Sequence, residues 1–372
     1  MTQFWGSLIL GSMNRKGIVF LPIFVAIPLI FLFNACSHNG LSDSLETSFQ
    51  KYPKAREVAV ADLALPDELA DPQMEFSGMA LYQELVVLLP QYPHRFARGS
   101  NGSLFAVPVE NFIESERESN NQFDYSLIAF DDDALSKTLP GFEGFEALVF
   151  LENEVYLTIE TSGGSPMKAF LVKGSLVETE MGELSVRLDA SQIVELEVQN
   201  SSRNASFEAL TSDGEYLYAF FEQNGSRQNS DPRVLKIDKN LNIVGEYPID
   251  PINYRVTDAT LIDQDGSLWL INYFFPGDEH LRVENDELAE RYKLPGSHAR
   301  DTRVERLVKL RLQGDAFVLA DEPPLYLELL SDGTARNWEG LVRLDGIGFV
   351  LITDKFPGSI LGLVRPDQFP EK

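Results

Sequence analysis

One four-residue phrase returns five times along this chain, and no other feature constrains the fold as tightly. It reads Phe76-Ser77-Gly78-Met79, Phe145-Glu146-Ala147-Leu148, Phe207-Glu208-Ala209-Leu210, Thr257-Asp258-Ala259-Thr260 and Trp338-Glu339-Gly340-Leu341. After each phrase come a short turn and a second apolar run: Leu85–Leu89, Val155–Ile159, Tyr216–Phe221, Leu268–Ile271 and Phe349–Ile352. Alternating apolar runs joined by Asp-Gly or Glu-Asn turns are β-hairpins. Hairpins that recur every 50–80 residues or so, with room for two further strands between them, are the pattern of propeller blades. The expected fold is all-β, a five-bladed β-propeller.

The third repeat is the cleanest, with strands expected near Phe207–Thr211, Glu215–Phe221, Val234–Ile237 and Ile243–Tyr247. The fourth carries a long insertion, Phe274–Arg303, between its second and third strands. In the last, Trp338–Leu344, Gly348–Thr353 and Ile360–Val364 leave the blade one strand short. The alternating run Glu57–Leu63 can supply that strand, so the ring is expected to close with strands from both termini and leave no exposed edge. Six blades are the alternative, because the 69-residue gap between the first two repeats is loosely patterned.

Upstream, Arg15 and Lys16 precede an apolar stretch from Gly17 to Phe33, and then come Asn34-Ala35-Cys36. A basic start, an apolar core and small residues before a cleavage point form a secretory signal. Cys36 is the only cysteine, so it has no internal disulfide partner. Its position resembles the lipid-bearing first residue of a mature bacterial lipoprotein, with Phe33 where leucine is usual and Leu32 one place earlier. The organisation read from this is a signal peptide at 1–35, a polar tether at 36–55 and the propeller at 56–372. Translation can start at Met1 or at Met13. An uncleaved membrane anchor is the other reading of the apolar run. Ser37, rather than an aspartate, favours an outer-membrane lipoprotein facing the periplasm, with the inner membrane as the alternative.

Charge narrows the partners. The chain has 31 basic and 57 acidic residues. The signal holds two of the basic residues and no acid, which leaves 29 against 57, a net of −28. Such a surface repels nucleic acid.

Innermost strands line a propeller's channel, so one repeat position from each blade forms a ring about the axis. That position holds Ser77, Glu146, Glu208, Asp258 and Glu339. Converging carboxylates need a positive neutraliser, and a hard oxygen-ligated ion, Ca2+, is the simplest. The structural alternative is that the acids cap strand ends. A second ring lies fourteen residues further on, at Gln91, Glu160, Glu222, Asn272 and Thr353, with Asp354 next to the last. Loops leaving the same mouth carry His94, Arg95, Arg98, Lys168, Arg227, Arg233 and Lys355, with Asp231 the one acid among them. Arg95, Arg98 and Arg227 are thereby candidates to bind an anion such as phosphate. Glu160, Glu222 and Asp354 are the candidate bases, and the insertion, with His280, Arg282, His298 and Arg300, is expected to overhang the mouth.

The Trp338-Glu339-Gly340-Leu341 phrase, followed by Gly348-Phe349-Val350-Leu351-Ile352-Thr353-Asp354, resembles the phytase-like ("esterase-like activity of phytase") propellers of bacteria. The order Ser77, Glu146, Glu208, Thr257/Asp258, Glu339 is similar to the axial calcium site of the five-bladed calcium-activated apyrases. The apyrase Asp-Asp-Arg-Thr-Gly segment is absent from this chain. The resemblance implies a calcium-dependent phosphoester hydrolase acting on a phosphorylated small molecule. The competing function is a non-catalytic propeller that binds a ligand or an envelope protein.

Overall fold

The alternating apolar runs become strands where the sequence places them. The computed structural model describes residues 54–97, 101–114, 123–162, 167–180, 182–202 and 204–365. The signal region, Cys36, nearly all of the tether and Arg98 lie outside the described residues.

Two three-residue strands come first, β1 (Arg56–Val58) and β2 (Ala61–Leu63). A meander follows of β3 (Phe76–Tyr82), β4 (Leu85–Pro90), β5 (Gly102–Pro108), the short helix α1 (Val109–Glu114) and β6 (Ser126–Asp131). Helix α2 (Leu135–Thr138) leads to β7 (Phe142–Leu151), β8 (Glu154–Thr161), β9 (Lys168–Glu178) and β10 (Leu184–Leu196). Next come β11 (Ala209–Ser212), β12 (Leu217–Phe220), β13 (Arg233–Ile237) and β14 (Ile243–Pro248). The fourth repeat gives β15 (Arg255–Ala259), β16 (Ser267–Phe274), helix α3 (Glu287–Tyr292) in the insertion, β17 (Val304–Gln313), β18 (Ala316–Leu319) and β19 (Leu325–Leu327). The chain finishes with β20 (Trp338–Leu344), β21 (Gly348–Thr353) and β22 (Leu361–Val364).

Within each meander, successive strands pair antiparallel. The innermost strands touch in a closed cycle: β3 with β7, β7 with β11, β11 with β15, β15 with β20, and β20 with β3 again. That cycle makes the molecule a β-propeller. The loosely patterned stretch after the first hairpin holds β5 and β6, and β6 pairs in parallel with β10, joining two meanders into one eight-stranded sheet. The run Glu57–Leu63 does close the ring, but in two pieces. β2 pairs antiparallel with β22, and β1 pairs in parallel with β19 of the preceding sheet.

The core lies in the seams between neighbouring sheets. One cluster packs Val87, Leu89 and Phe130 against Phe145, Leu157 and Val172. Further clusters fill the seam between β7–β10 and β11–β14, then each following seam round to β20–β22 against β3–β5. A sheet covered on both faces needs near-continuous apolar strands, and Leu85–Pro90 and Gly348–Thr353 read that way. Each fully buried Val, Leu or Phe in these seams contributes about 1.5–3 kcal/mol.

The insertion departs from expectation. Leu288 and Tyr292 of α3 join the core cluster beside β15–β17. Asp286, which caps α3 by accepting from Leu288 N, also accepts two bonds from the buried Arg306, at 2.5 and 3.2 Å. An apolar helix face and a buried ion pair pin this segment to its own blade, so it is not a lid. Only its first residues, among them Phe275 and Asp278, rim the mouth.

Candidate functional site

Register decides which side chain of each phrase faces the axis. The Ser77 hydroxyl donates to the carbonyl of Phe145 at 2.6 Å, and the Thr257 hydroxyl donates to that of Trp338 at 2.6 Å. Phe145 N donates to Gln91 O at 3.0 Å, and Val256 N donates to Glu222 O at 2.9 Å. The fourth phrase is therefore Val256-Thr257-Asp258-Ala259, one residue earlier than the sequence suggests. Four of the inner hairpins have a register shift at this point, between Phe76 and Gly78, Phe145 and Leu148, Val256 and Ala259, and Trp338 and Gly340. A bulge re-aims the side chain it carries, here toward the channel mouth.

Asp258 thus occupies the place of Gly78, Ala147, Ala209 and Gly340, not the axial one. A Cβ at Gly78 already stands 3.0 Å from the Glu146 carbonyl of the next blade, which explains the small residues there. The Asp258 carboxylate accepts the N–H of Ala259 at 2.7 Å and of Leu341 at 2.6 Å, and it does not line the mouth. Its role is to brace two blades, the capping alternative, and the axial member of this repeat is Thr257.

The second ring needs the same adjustment. Gln91, Glu222 and Asp354 each donate their N–H to the residue before the phrase, at 2.8, 2.8 and 2.9 Å. Glu160 stands opposite Gly144, and Tyr273 opposite Arg255. The ring is Gln91, Glu160, Glu222, Tyr273 and Asp354. Asn272 and Thr353 lie one place further in, where Asn272 Nδ2 donates to the carbonyls of Asn253 and Arg255 and Thr353 Oγ1 donates to Gly358 O.

Ser77, Glu146, Glu208 and Glu339 of the first ring and Gln91, Glu160, Tyr273 and Asp354 of the second line a cavity of about 710 Å³ at one mouth of the channel. Its charged lining is Glu146, Glu160, Glu208, Asp278, Glu339 and Asp354 against Arg255 and Lys355, six acids to two bases. Arg255 is committed: its guanidinium bonds Asp278 at 2.7 Å and pairs with Glu222. Lys355 reaches Glu75 at 3.3 Å. Glu146 accepts one bond from Gln91 Nε2 at 3.1 Å. Glu160 and Glu208 are 7% and 8% exposed, and neither carboxylate has a hydrogen-bond or ion-pair partner among the described residues. Glu222 is fully buried beneath this wall, and its second oxygen is unbonded.

Burial and mutual repulsion show in the acidities. Glu160 is pushed to about 7, by burial first and then by Glu143. Glu208 reaches about 8 through burial, with Glu160, Asp354 and Asp278 adding to the shift and Arg255 opposing it. Glu146 and Glu339 are raised well above the carboxylate range, each by burial and then by neighbouring acids. Asp354 is raised as well, by burial.

The rim expected to bind an anion is not assembled. Arg95 pairs with Glu75 at 2.9 Å and stacks on Tyr92 at 3.7 Å. Arg227 donates to the carbonyl of Arg282 at 2.6 Å. Lys168 and Arg233 pair with Glu195 and Asp231. His298 is buried on Glu57 at 2.9 Å, and none of these residues lines the cavity. Arg255, Tyr273, Phe275 and Asp278 escape the sequence reading. Sliding the fourth phrase back by one puts Arg255 at the place of Glu75, Gly144, Ser206 and Asn337, but the fourteen-residue count from Thr257 then falls on Ile271, so the repeat does not reach Tyr273, and nothing marks Phe275 or Asp278.

The mouth can hold positive charge with oxygen donors and exchange protons near neutrality at Glu160 and Glu208. Among the described residues, no three His, Cys, Asp or Glu side chains are gathered closely enough to hold a metal ion as they stand. The donor chemistry nonetheless suits a hard cation, since Glu160 and Glu208 offer unbonded carboxylate oxygens.

No protein-family model and no curated protein sequence matches the chain. Among solved structures, a glucose dehydrogenase is similar at 14% identity and a TM-score of 0.43, over 82% of this chain and 99% of that one. The soluble aldose sugar dehydrogenase of Escherichia coli is similar at 12% identity and 0.39, over 83% and 99%. A putative glycoside hydrolase from Parabacteroides distasonis is similar at 12% and 0.41, over 85% and 95%. Likeness at this level carries no argument about chemistry, and none of the three is described as a phytase or an apyrase.

Proposed function

We propose that this protein is a cation-binding, five-bladed propeller of the bacterial envelope, tethered by lipid at Cys36 in the outer membrane and facing the periplasm. The observation that carries the cation site is the six-to-two excess of acids around one cavity, with Glu160 and Glu208 buried and unpartnered. Buried carboxylates without a counter-charge are costly, so the folded state gains by taking up a positive guest. Ca2+ is the simplest such guest, with Glu146, Glu208 and Glu339 as its holders. Ser77 contributes through the carbonyl its hydroxyl fixes, and Thr257 replaces Asp258 in the ring. A ligand bound only by the folded state raises stability by mass action. Melting temperature should rise with calcium, fall with chelator, and respond less in Glu208→Gln. A flat response to calcium removes the metal from the reading. For the anchor, Cys36→Ala should shift the protein from the membrane to the soluble fraction.

A second reading, phosphoester hydrolysis, is favoured by one observation: Arg255, Lys355 and Glu160 face the same cavity. Calcium bound there would supply a Lewis acid for a phosphoryl oxygen. Glu160, poised near 7, is the best placed of Glu160, Glu222 and Asp354 to take a proton, because Glu222 is committed to Arg255. Arg255 and Lys355 stand in for Arg95, Arg98 and Arg227 as the groups that would meet an anion. A panel of phosphate monoesters, diesters, nucleotides and inositol phosphates, with calcium and with chelator, tests it. Calcium-dependent turnover lost in Glu160→Gln supports the enzyme; silence across the panel leaves a binding propeller.

A further inference from the structure

The walls of the mouth hold more than carboxylates. Tyr273 and Phe275 lie nearly parallel, at 20° with centroids 6.2 Å apart, and both line the cavity beside the acids. Phe356, 62% exposed, stands on the rim at another side, and Phe275 is itself 37% exposed. Among the described residues, Phe275 and Phe356 are the two large aromatics that stand exposed, and both rim this one cavity. A calcium cage has no use for them, since it needs six to eight oxygens at about 2.3–2.6 Å and little space beyond the ion. At about 710 Å³ the cavity is of a size that takes a whole small organic molecule. Carboxylates without an ion pair beside aromatic walls attract an organic cation: the acids match its charge, and the rings take its carbon body.

We propose that the guest of this mouth is a small organic ammonium compound, with its charged nitrogen at Glu160 and Glu208 and its carbon body against Tyr273, Phe275 and Phe356. The two resident cations do not take this place. Arg255 is held by Asp278 and Glu222, and Lys355 by Glu75. The inference rests on reading the mouth as a cation site, and it adds the chemical class of the ligand.

Calorimetry with phenethylammonium, choline and spermidine, beside uncharged 2-phenylethanol and beside calcium, tests the idea on the folded protein. At least one ammonium should bind, 2-phenylethanol should not, and calcium should compete. Phe275→Ala, a partly exposed position, should weaken ammonium binding by about fivefold while leaving calcium binding unchanged. Glu208→Gln should weaken both. Equal binding of 2-phenylethanol overturns the proposal, as does an ammonium affinity indifferent to Phe275→Ala. Calcium binding without any ammonium binding overturns it and leaves the cation site standing. If neither binds at millimolar concentration, both readings fall together.

Discussion

Two parts of this molecule bury charge, and they do it in opposite ways. Beside β17, Glu305 is fully buried and accepts from Arg336 Nε and Trp338 Nε1, both at 2.9 Å. Its neighbour Arg306, equally buried, donates to Asp286, Asn272 and Tyr326. Every charge there meets an opposite one and a dipole. At the channel mouth six acids face two bases; Arg255 answers Asp278 and Lys355 turns to Glu75, which leaves Glu146, Glu160, Glu208, Glu339 and Asp354 without an ion pair among the described residues. The same chain therefore can balance buried charge where the charge serves the fold. The imbalance at the mouth is a local property of the site, which is why we assign it to a guest rather than to packing.

That contrast can be broken from either side. The largest effect should come from Arg336→Met, which leaves Glu305 buried without its cation; a loss of about 3–5 kcal/mol is expected in urea unfolding. Glu208→Gln at the mouth should have the opposite sign. Without added cation at pH 8 it should gain on the order of 1–2 kcal/mol, because it removes a charge that burial disfavours. A Glu208→Gln variant less stable than the parent under those conditions would show that an unseen partner already balances the acid.

A pH series sharpens the comparison. Glu160 near 7 and Glu208 near 8 lie above their ordinary value of 4.5, so the folded state holds protons that the unfolded chain has already released. Stability from these groups is fully present only below about pH 4.5 and is lost as pH rises from there to about 7 for Glu160 and about 8 for Glu208, by at most about 1.4 kcal/mol per pH unit for each group. Melting curves from pH 5 to 8 in chelator should slope downward, and a saturating cation should flatten the slope. The smallest effect belongs to Arg95→Ala. Arg95 is 44% exposed in its pair with Glu75, and Lys355 also reaches that acid, so stability should change by less than about 0.5 kcal/mol and cation affinity should not change.

The inner hairpins were legible because each is covered on both faces, so that Trp338–Leu344 and Gly348–Thr353 match their strands residue for residue. The strands β5 and β6 were not: β6 mixes exposed and buried positions, and helix α1 separates it from the buried β5. At the site, Glu146, Glu160, Glu208, Glu339 and Asp354 were identified and do meet. Asp258 was misplaced because a bulge adds a residue without leaving any mark in an apolar pattern: Thr257-Asp258 satisfies the phrase as well as Val256-Thr257 does. The arginine rim failed for a different reason. Sequence proximity to the mouth does not show whether a guanidinium is free, and Glu75 and the Arg282 carbonyl had claimed Arg95 and Arg227 first.

The split seam at β1 and β2 sets a schedule for the chain. Ala61 pairs with Leu363 and Arg56 with Leu325, so the first described strands pair with strands far along the chain. Contacts between such distant positions are slow to form, because the loop between them must be closed first. Without β22, β21 is an unpaired edge and β2 has no partner. Closing the ring thus requires the first and last described strands to meet. Loss of β22 bares β21, and loss of β1 and β2 bares β19 and β22; either open edge is an invitation to pair with a neighbour.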